Sequence, residues 1–237
     1  MFTISAFRPR RSLPVTLGVA AVLGTSLVLP GLASAAPVLA YGPYTCAQNF
    51  VWREAFDGDT VCVSPGERDT ARAENGQASA RRSPTGGAYG PDTCLQGFVW
   101  REARPTDHVC VDPSRRDRAV AQNSEGASHL VDATQLPAGK VATRSELIGG
   151  GGRIYLDGGK GLTPGGRVEF YAAGVNGTAV RPLGTRTADG KGELPRENTA
   201  LAQVRCELKR DETATIVVLD VRTGVATTAG TSYAYSC

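Results

Sequence analysis

The chain carries the same cysteine-bearing segment twice. "YGPYTCAQNFVWREAFDGDTVCVSP" begins at residue 41 and "YGPDTCLQGFVWREARPTDHVCVDP" at residue 89, a period of 48 residues; 22 of the 35 positions aligned between 41–75 and 89–123 are identical. A duplication of this kind limits the fold to two like units, each of about 40 residues and too small to build a self-sufficient core. Each copy has two cysteines with fifteen residues between them. In an exported protein an even count at repeated spacing reads as a disulfide framework. Six cysteines allow fifteen pairings. The duplication favours closure within each copy, Cys46 to Cys62 and Cys94 to Cys110, each contributing about 3 kcal/mol by restricting the unfolded chain. A four-thiolate zinc site lacks the short cysteine spacing such sites use, so no metal is expected.

Within a copy, "FVWREA" is extended in character, with Phe50 and Trp52 (or Phe98 and Trp100) on one face and Val51 and Arg53 on the other. Val61, Cys62 and Val63 supply a second short strand to pair with it. The turns between, "FDGD" and "RPTD", differ while their flanks are retained, so the flanks define the scaffold. A helix follows in copy one, with Ser64 as N-cap, Pro65 in the first turn and Glu67 completing a capping box. Copy two keeps Asp112 and Pro113 but has Arg115 where the box wants Glu. Both helices carry mainly Ala on any apolar face and are expected to pack lightly. The organisation read from these signals is copy one at 41–82, a linker at 83–88, copy two at 89–132 and a second linker at 133–152.

The candidate binding residues are Trp52, Arg53 and Glu54 with their counterparts Trp100, Arg101 and Glu102. An indole beside Tyr41, Tyr44 and Phe56 can stack on a sugar ring. It can equally be the one large core residue of so small a unit. The Arg-Glu pairs read as a solvated or ion-paired surface. The string "GPDTCLQGFVWREA" followed by "DHVCV" resembles a repeat that recurs, often in tandem, in secreted proteins of actinobacteria. The resemblance covers residues 41–126, implies an exported protein of such a source, and brings no catalytic residues. Copy one departs from it at Tyr44, Asn49 and Thr60, where Thr60 replaces His108. The Arg excess over Lys, 22 to 4, fits GC-rich coding.

Residues 1–35 hold Arg8, Arg10 and Arg11, an apolar run over 13–29, Pro30 and the small-residue site Ala33-Ser34-Ala35, which together read as a cleaved secretory signal. The run is short and interrupted for a membrane span. Arg10-Arg11 resembles a twin-arginine signal, from which Pro14 departs. The precursor's formal charge of +3 leaves with this segment, because 23 basic residues then face 23 acidic ones. No basic cluster remains for nucleic acid, so nucleic-acid and membrane partners are not expected. The remainder splits into an acidic half, 36–136, and a basic half, 137–237, which raises the question of whether the halves attract one another.

From 153 to the C-terminus the pattern reads as an immunoglobulin-like β-sandwich. Ile154 and Leu156 alternate with polar neighbours, as do Val168 and Phe170, while 216–221 is a near-continuous apolar run fit for a central strand. Asp157-Gly158, Asn176-Gly177 and Asp189-Gly190 read as hairpin turns, and "GGGG" at 149–152 as a flexible joint or tight turn. Ala202, Val204 and Cys206 share a face, as do Tyr233, Tyr235 and Cys237. A Cys206–Cys237 bridge around thirty residues is therefore expected to contribute about 3.5 kcal/mol. The fold class expected is mainly β, two small disulfide-closed β/α units followed by the sandwich.

His108 and His129, the only two histidines, belong to no ligand or triad pattern. No zinc-protease, nucleophile-elbow, phosphate-loop or dinucleotide motif is present, and Asp57 with Asp59 reads as a turn. The sequence thus points to a secreted, non-enzymatic binding or structural module without cofactor. Its partner would be a cell-envelope component, a polysaccharide or an extracellular protein. The alternative is a secreted inhibitor or effector acting on an extracellular enzyme through loop 55–60 or 103–108.

Overall fold

A computed structural model describes residues 39–148, 151–173, 179–205 and 213–234, all within one contact unit, Pro37–Cys237. The chain is mainly β. In copy one, β1 (Val51–Trp52) pairs antiparallel with β2 (Cys62–Val63), and α1 (Pro65–Gln77) follows directly. Copy two repeats this with β3 (Val99–Trp100), β4 (Cys110–Val111) and α2 (Pro113–Gly126). The bridges are Cys46–Cys62 and Cys94–Cys110, as the duplication implied. Ser64 and Asp112 occupy the N-cap positions, each followed by proline, yet neither side chain caps its helix. Glu67 does not close a capping box because it is drawn to Arg115 and Arg118 of the other copy.

Each copy is completed by its twin. Cys94 bridges to Arg82, behind α1, while Cys46 bridges to Leu130, the equivalent position behind α2. Ala55, Ala71, Ala103 and Ala119, two equivalent pairs, form a buried cluster of their own. The alanine faces therefore do not pack lightly. Small side chains let the two helices and the turns before them approach closely enough to share a core. The expected linker at 83–88 is likewise tied in at its start, where Ser83 N–H donates to Thr93 O at 2.8 Å.

The C-terminal part has two antiparallel sheets. One has the order β5-β6-β9, with β5 (Val141–Ile148), β6 (Gly151–Gly159) and β9 (Leu194–Arg205). The other has the order β11-β10-β7-β8, with β7 (Arg167–Ala173), β8 (Ala179–Thr187), β10 (Thr213–Asp220) and β11 (Val225–Ala234). Ile154 and Leu156 from the first sheet meet Val168, Phe170, Ile216 and Val218 from the second in one core. The run at 216–221 is apolar on both faces for a physical reason: Val217, Leu219 and Val221 turn away from that core and pack with Leu130, Leu136, Tyr44, Phe50 and Trp52. The repeats cover the outer face of the central strand.

Several sequence expectations are corrected. The sheet domain starts at Val141, inside the stretch read as linker 133–152, because β5 pairs along its whole length with β6. Of the glycines at 149–152 read as a flexible joint or tight turn, Gly151 and Gly152 are strand residues paired with Ile148 and Leu147, and 149–150 lie outside the described residues. Asp157-Gly158 lies within β6, with Gly158 at φ 106°, and Asp189 turns the chain between sheets rather than in a hairpin. Leu201, not Ala202, enters the core, because irregularities in the β6–β9 register shift the phase of the alternation. Asn176-Gly177 and the expected Cys206–Cys237 bridge lie outside the described residues.

The two halves meet through hydrogen bonds and apolar contacts, and one of the bonds, from Ser124 Oγ to Glu169 Oε1 at 3.3 Å, reaches a carboxylate. Asn123 Nδ2 donates to Val221 O at 2.8 Å, Tyr44 Oη donates to Ala226 O at 3.2 Å, and Tyr171 Oη donates to Ser124 O at 3.4 Å. Among the described residues no ion pair joins 36–136 to 137–237, so their opposite net charges do not act through contacts. Among the same residues no helix is long and apolar enough to cross a membrane.

Candidate functional site

Arg53 and Arg101 follow the tryptophans on the strands and therefore point inward. They are only 1% and 2% exposed. Arg53 donates from Nε and Nη2 to the two oxygens of Asp59 at 2.8 and 3.1 Å; Arg101 does the same to Asp107 at 2.8 and 3.1 Å. Each then reaches into the other copy: Arg53 to Ala119 O at 3.2 Å and Gln122, Arg101 to Ala71 O at 3.4 Å and Glu74 at 3.2 Å. A buried charge is tolerated only when paired and hydrogen-bonded, and both are. The guanidinium groups are thus internal braces, and the expectation that they sit on the surface or in the binding site is corrected. The turns at 55–60 and 103–108 vary because Asp59 and Asp107 hold them from within, each accepting a backbone N–H from Ala55 or Ala103.

Glu54 and Glu102, one residue on, sit at φ 57° and 53°, in the left-handed region that side chains rarely occupy. This costs on the order of 1 kcal/mol per residue, yet both copies retain it. The twist takes the glutamate out to solvent beside the tryptophan. Two equivalent clefts result. Tyr41, Phe50, Trp52, Glu54 and Arg68 line one of about 300 Å³; Tyr89, Phe98, Trp100, Glu102 and Arg116 line the other, of about 410 Å³. Tyr41 and Tyr89 are 71% and 69% exposed and stand edge-on to the indoles at 5.5 and 5.2 Å. Each indole N–H is fixed by a backbone carbonyl, Trp52 to Tyr44 O at 2.8 Å and Trp100 to Asp92 O at 2.7 Å. Each half-buried tryptophan is thus anchored to the backbone by one edge and borders its cleft with the rest of the ring.

The copies differ around this frame. In copy two, His108 stacks on Trp100 with ring centroids 4.1 Å apart, and its Nδ1 lies 2.9 Å from Asp92. The hydrogen bond to His108, with the charge of Arg82 beside it, holds the Asp92 carboxyl below its ordinary range. Copy one has Thr60 and Tyr44 at those positions, and Tyr44 is turned instead toward the sheet. Phe50 stacks on His129 at 3.9 Å, where Phe98 carries the Arg81 guanidinium at 4.8 Å.

Of the residues singled out from sequence, the tryptophans, the glutamates and Tyr41 line the clefts, while Tyr89, Phe50, Phe98, Arg68 and Arg116 were missed as cleft walls. The repeat itself carried that signal, since every lining residue of one cleft is the 48-residue counterpart of one in the other. Among the described residues no group of three or more His, Cys, Asp or Glu side chains is placed to hold a metal ion. The arrangement offers aromatic faces and edges, a carboxylate and a guanidinium, which is equipment for stacking and hydrogen bonding with a ring-shaped ligand. No family model, curated protein or solved structure matches the chain.

Proposed function

We propose that the chain is an exported, non-enzymatic binding protein whose two repeats present matching aromatic clefts to a saccharide of the cell envelope. The observation that carries this reading is the pair of equivalent clefts, each keeping an exposed tyrosine, an edge-on tryptophan and a glutamate in a costly backbone conformation. Aromatic walls stack on the apolar faces of sugar rings, and the flanking carboxylate and guanidinium suit their hydroxyl groups. Two sites on one chain gain avidity without new contacts. Export is supported by the signal-like residues 1–35 and the two disulfides. Membership of the actinobacterial repeat family belongs to the same proposal. So does an immunoglobulin-like assignment for the seven strands, which is supported by their division into three and four and by the crossing of strands between sheets.

The test is pull-down of the mature chain on isolated envelope polysaccharide. Tyr41→Ala and Tyr89→Ala are the variants to use, because both side chains are exposed and their loss leaves the core intact. Each single change should weaken retention and the pair abolish it. Undiminished retention of the double variant would overturn the proposal.

A further inference from the structure

Copy two contains a planar group seated on its tryptophan, the His108 ring on Trp100 at 4.1 Å and 23° between planes, held by the Asp92 carboxylate. Copy one has Thr60 in place of His108. There a separate cavity of about 440 Å³ opens, lined by Trp52, Thr60, Glu54, Phe56 and Asp57. Thr60 is smaller than the imidazole it stands for, and the cavity it borders lies against Trp52. Asp59 is neutralised by Arg53, and Glu54 is bonded by Arg72, while Asp57 is exposed and forms no ion pair among the described residues. Phe56, on the same wall, already carries a flat cation, the Arg104 guanidinium 4.0 Å above its ring.

We propose that this cavity is a second site, distinct from the twin clefts, that receives a flat cation: the guanidinium of an arginine side chain on a partner polypeptide. Trp gives the strongest cation–π face of the aromatic residues, and Asp57 supplies the opposite charge at the rim. The shape of the occupant is read from the internal example in copy two, and its charge from the exposed carboxylate of Asp57. The proposal does not rest on saccharide binding: the cavity shares Trp52 and Glu54 with the copy-one cleft, but Thr60, Phe56 and Asp57 take no part in either cleft.

The probe is N-acetyl-argininamide, titrated into the intact mature chain while the two indole N–H resonances are followed by NMR. The neutral isostere N-acetyl-citrullinamide serves as control. The arginine probe should shift the Trp52 resonance saturably and leave Trp100 in place, and the citrulline probe should shift neither. Thr60→His, which installs copy two's own residue, should abolish the Trp52 shift. Equal shifts at both tryptophans, equal response to citrulline, or a Trp52 shift that survives in folded Thr60→His protein would each overturn the proposal. If Thr60→His does not fold, the wild-type contrast between Trp52 and Trp100 decides alone.

Discussion

Arg115 Nη2 lies 3.1 Å from Glu67 Oε2, and the two residues occupy the same position in the two copies. Arg104 over Phe56 repeats the relationship at a second position. Residues at equivalent positions face each other only near an axis relating the copies. At such a place identical copies would set Glu67 against Glu67 or Arg115 against Arg115. Divergence at 67 and 115 therefore favours pairing of copy one with copy two and disfavours pairing of either with itself.

This pair should be measurable as coupling. A double-mutant cycle of Glu67→Gln and Arg115→Gln, followed by urea unfolding, is expected to give about 1 kcal/mol, since both side chains are partly buried and form a network with Arg118 and Glu74. Burial pushes the Glu67 carboxyl up, but the hydrogen bonds and charges of Arg118 and Arg115 outweigh it and hold it below its ordinary 4.5. A lowered folded-state value means stabilisation that is present above the unfolded value and lost as pH falls through the folded one. The stability gap between wild type and Glu67→Gln should accordingly be full at neutral pH and close progressively below pH 4.5. A gap that does not narrow in acid would show that the ion pair is not its source.

The buried arginines should matter far more to stability than their neighbours. Arg101→Met leaves Asp107 charged, buried and deprived of its partner, and is expected to cost about 3–5 kcal/mol in chemical unfolding. A loss under about 1 kcal/mol would place Arg101 at the surface after all.

Glu102→Gly should act in the opposite sense. Glycine adopts φ 53° without penalty, so the variant is expected to gain about 1 kcal/mol while losing the carboxylate from its cleft. Thermal unfolding read beside saccharide retention checks both halves of this expectation. Higher stability with undiminished retention would remove the glutamate from the site.

The local features were legible because they are encoded within a few residues: the two disulfides of the repeats by their duplicated spacing, the helix starts by Ser64-Pro65 and Asp112-Pro113, the central strand by its β-branched run. The Arg-Asp braces were legible in principle, since both copies keep Arg and Asp six positions apart while the turn between them changes. They were missed because a charged residue next to a tryptophan reads as surface when its burial comes from another segment. The reciprocal pairing could not be read from periodicity, because Ala71 facing Ala119 looks in sequence like two weak helices. The sheet domain's true start was hidden by glycines, whose place in β6 is set by pairing rather than propensity.

Interlocking predicts that copy one does not fold alone. In a chain lacking copy two, Cys46 loses its Leu130 bridge, Arg53 loses Ala119 O and Gln122, and the alanine cluster loses half its members. Oxidised peptide 39–82 is expected to show no amide protection and no cooperative transition, and to gain both when mixed with 83–136. Independent folding of 39–82 would reduce the interlocking of the copies to simple contact.

Asn123 should be the residue that makes the two halves melt together. Its amide nitrogen donates both to Ala103 O at 3.0 Å in copy two and to Val221 O at 2.8 Å in the turn before β11. Its counterpart Asn75 lies exposed and accepts from Arg101 instead, so the shared residue has been turned to a new use only where the sheets are near. Asn123→Ala leaves two buried carbonyls without a donor, at a cost of about 2–3 kcal/mol. Because those carbonyls lie on opposite sides of the junction, calorimetry should show one transition in the parent chain and two in the variant. Asn75→Ala should leave a single transition. A single, merely lowered transition in Asn123→Ala would mean that the apolar contacts of Val217, Leu219 and Leu130 couple the halves unaided.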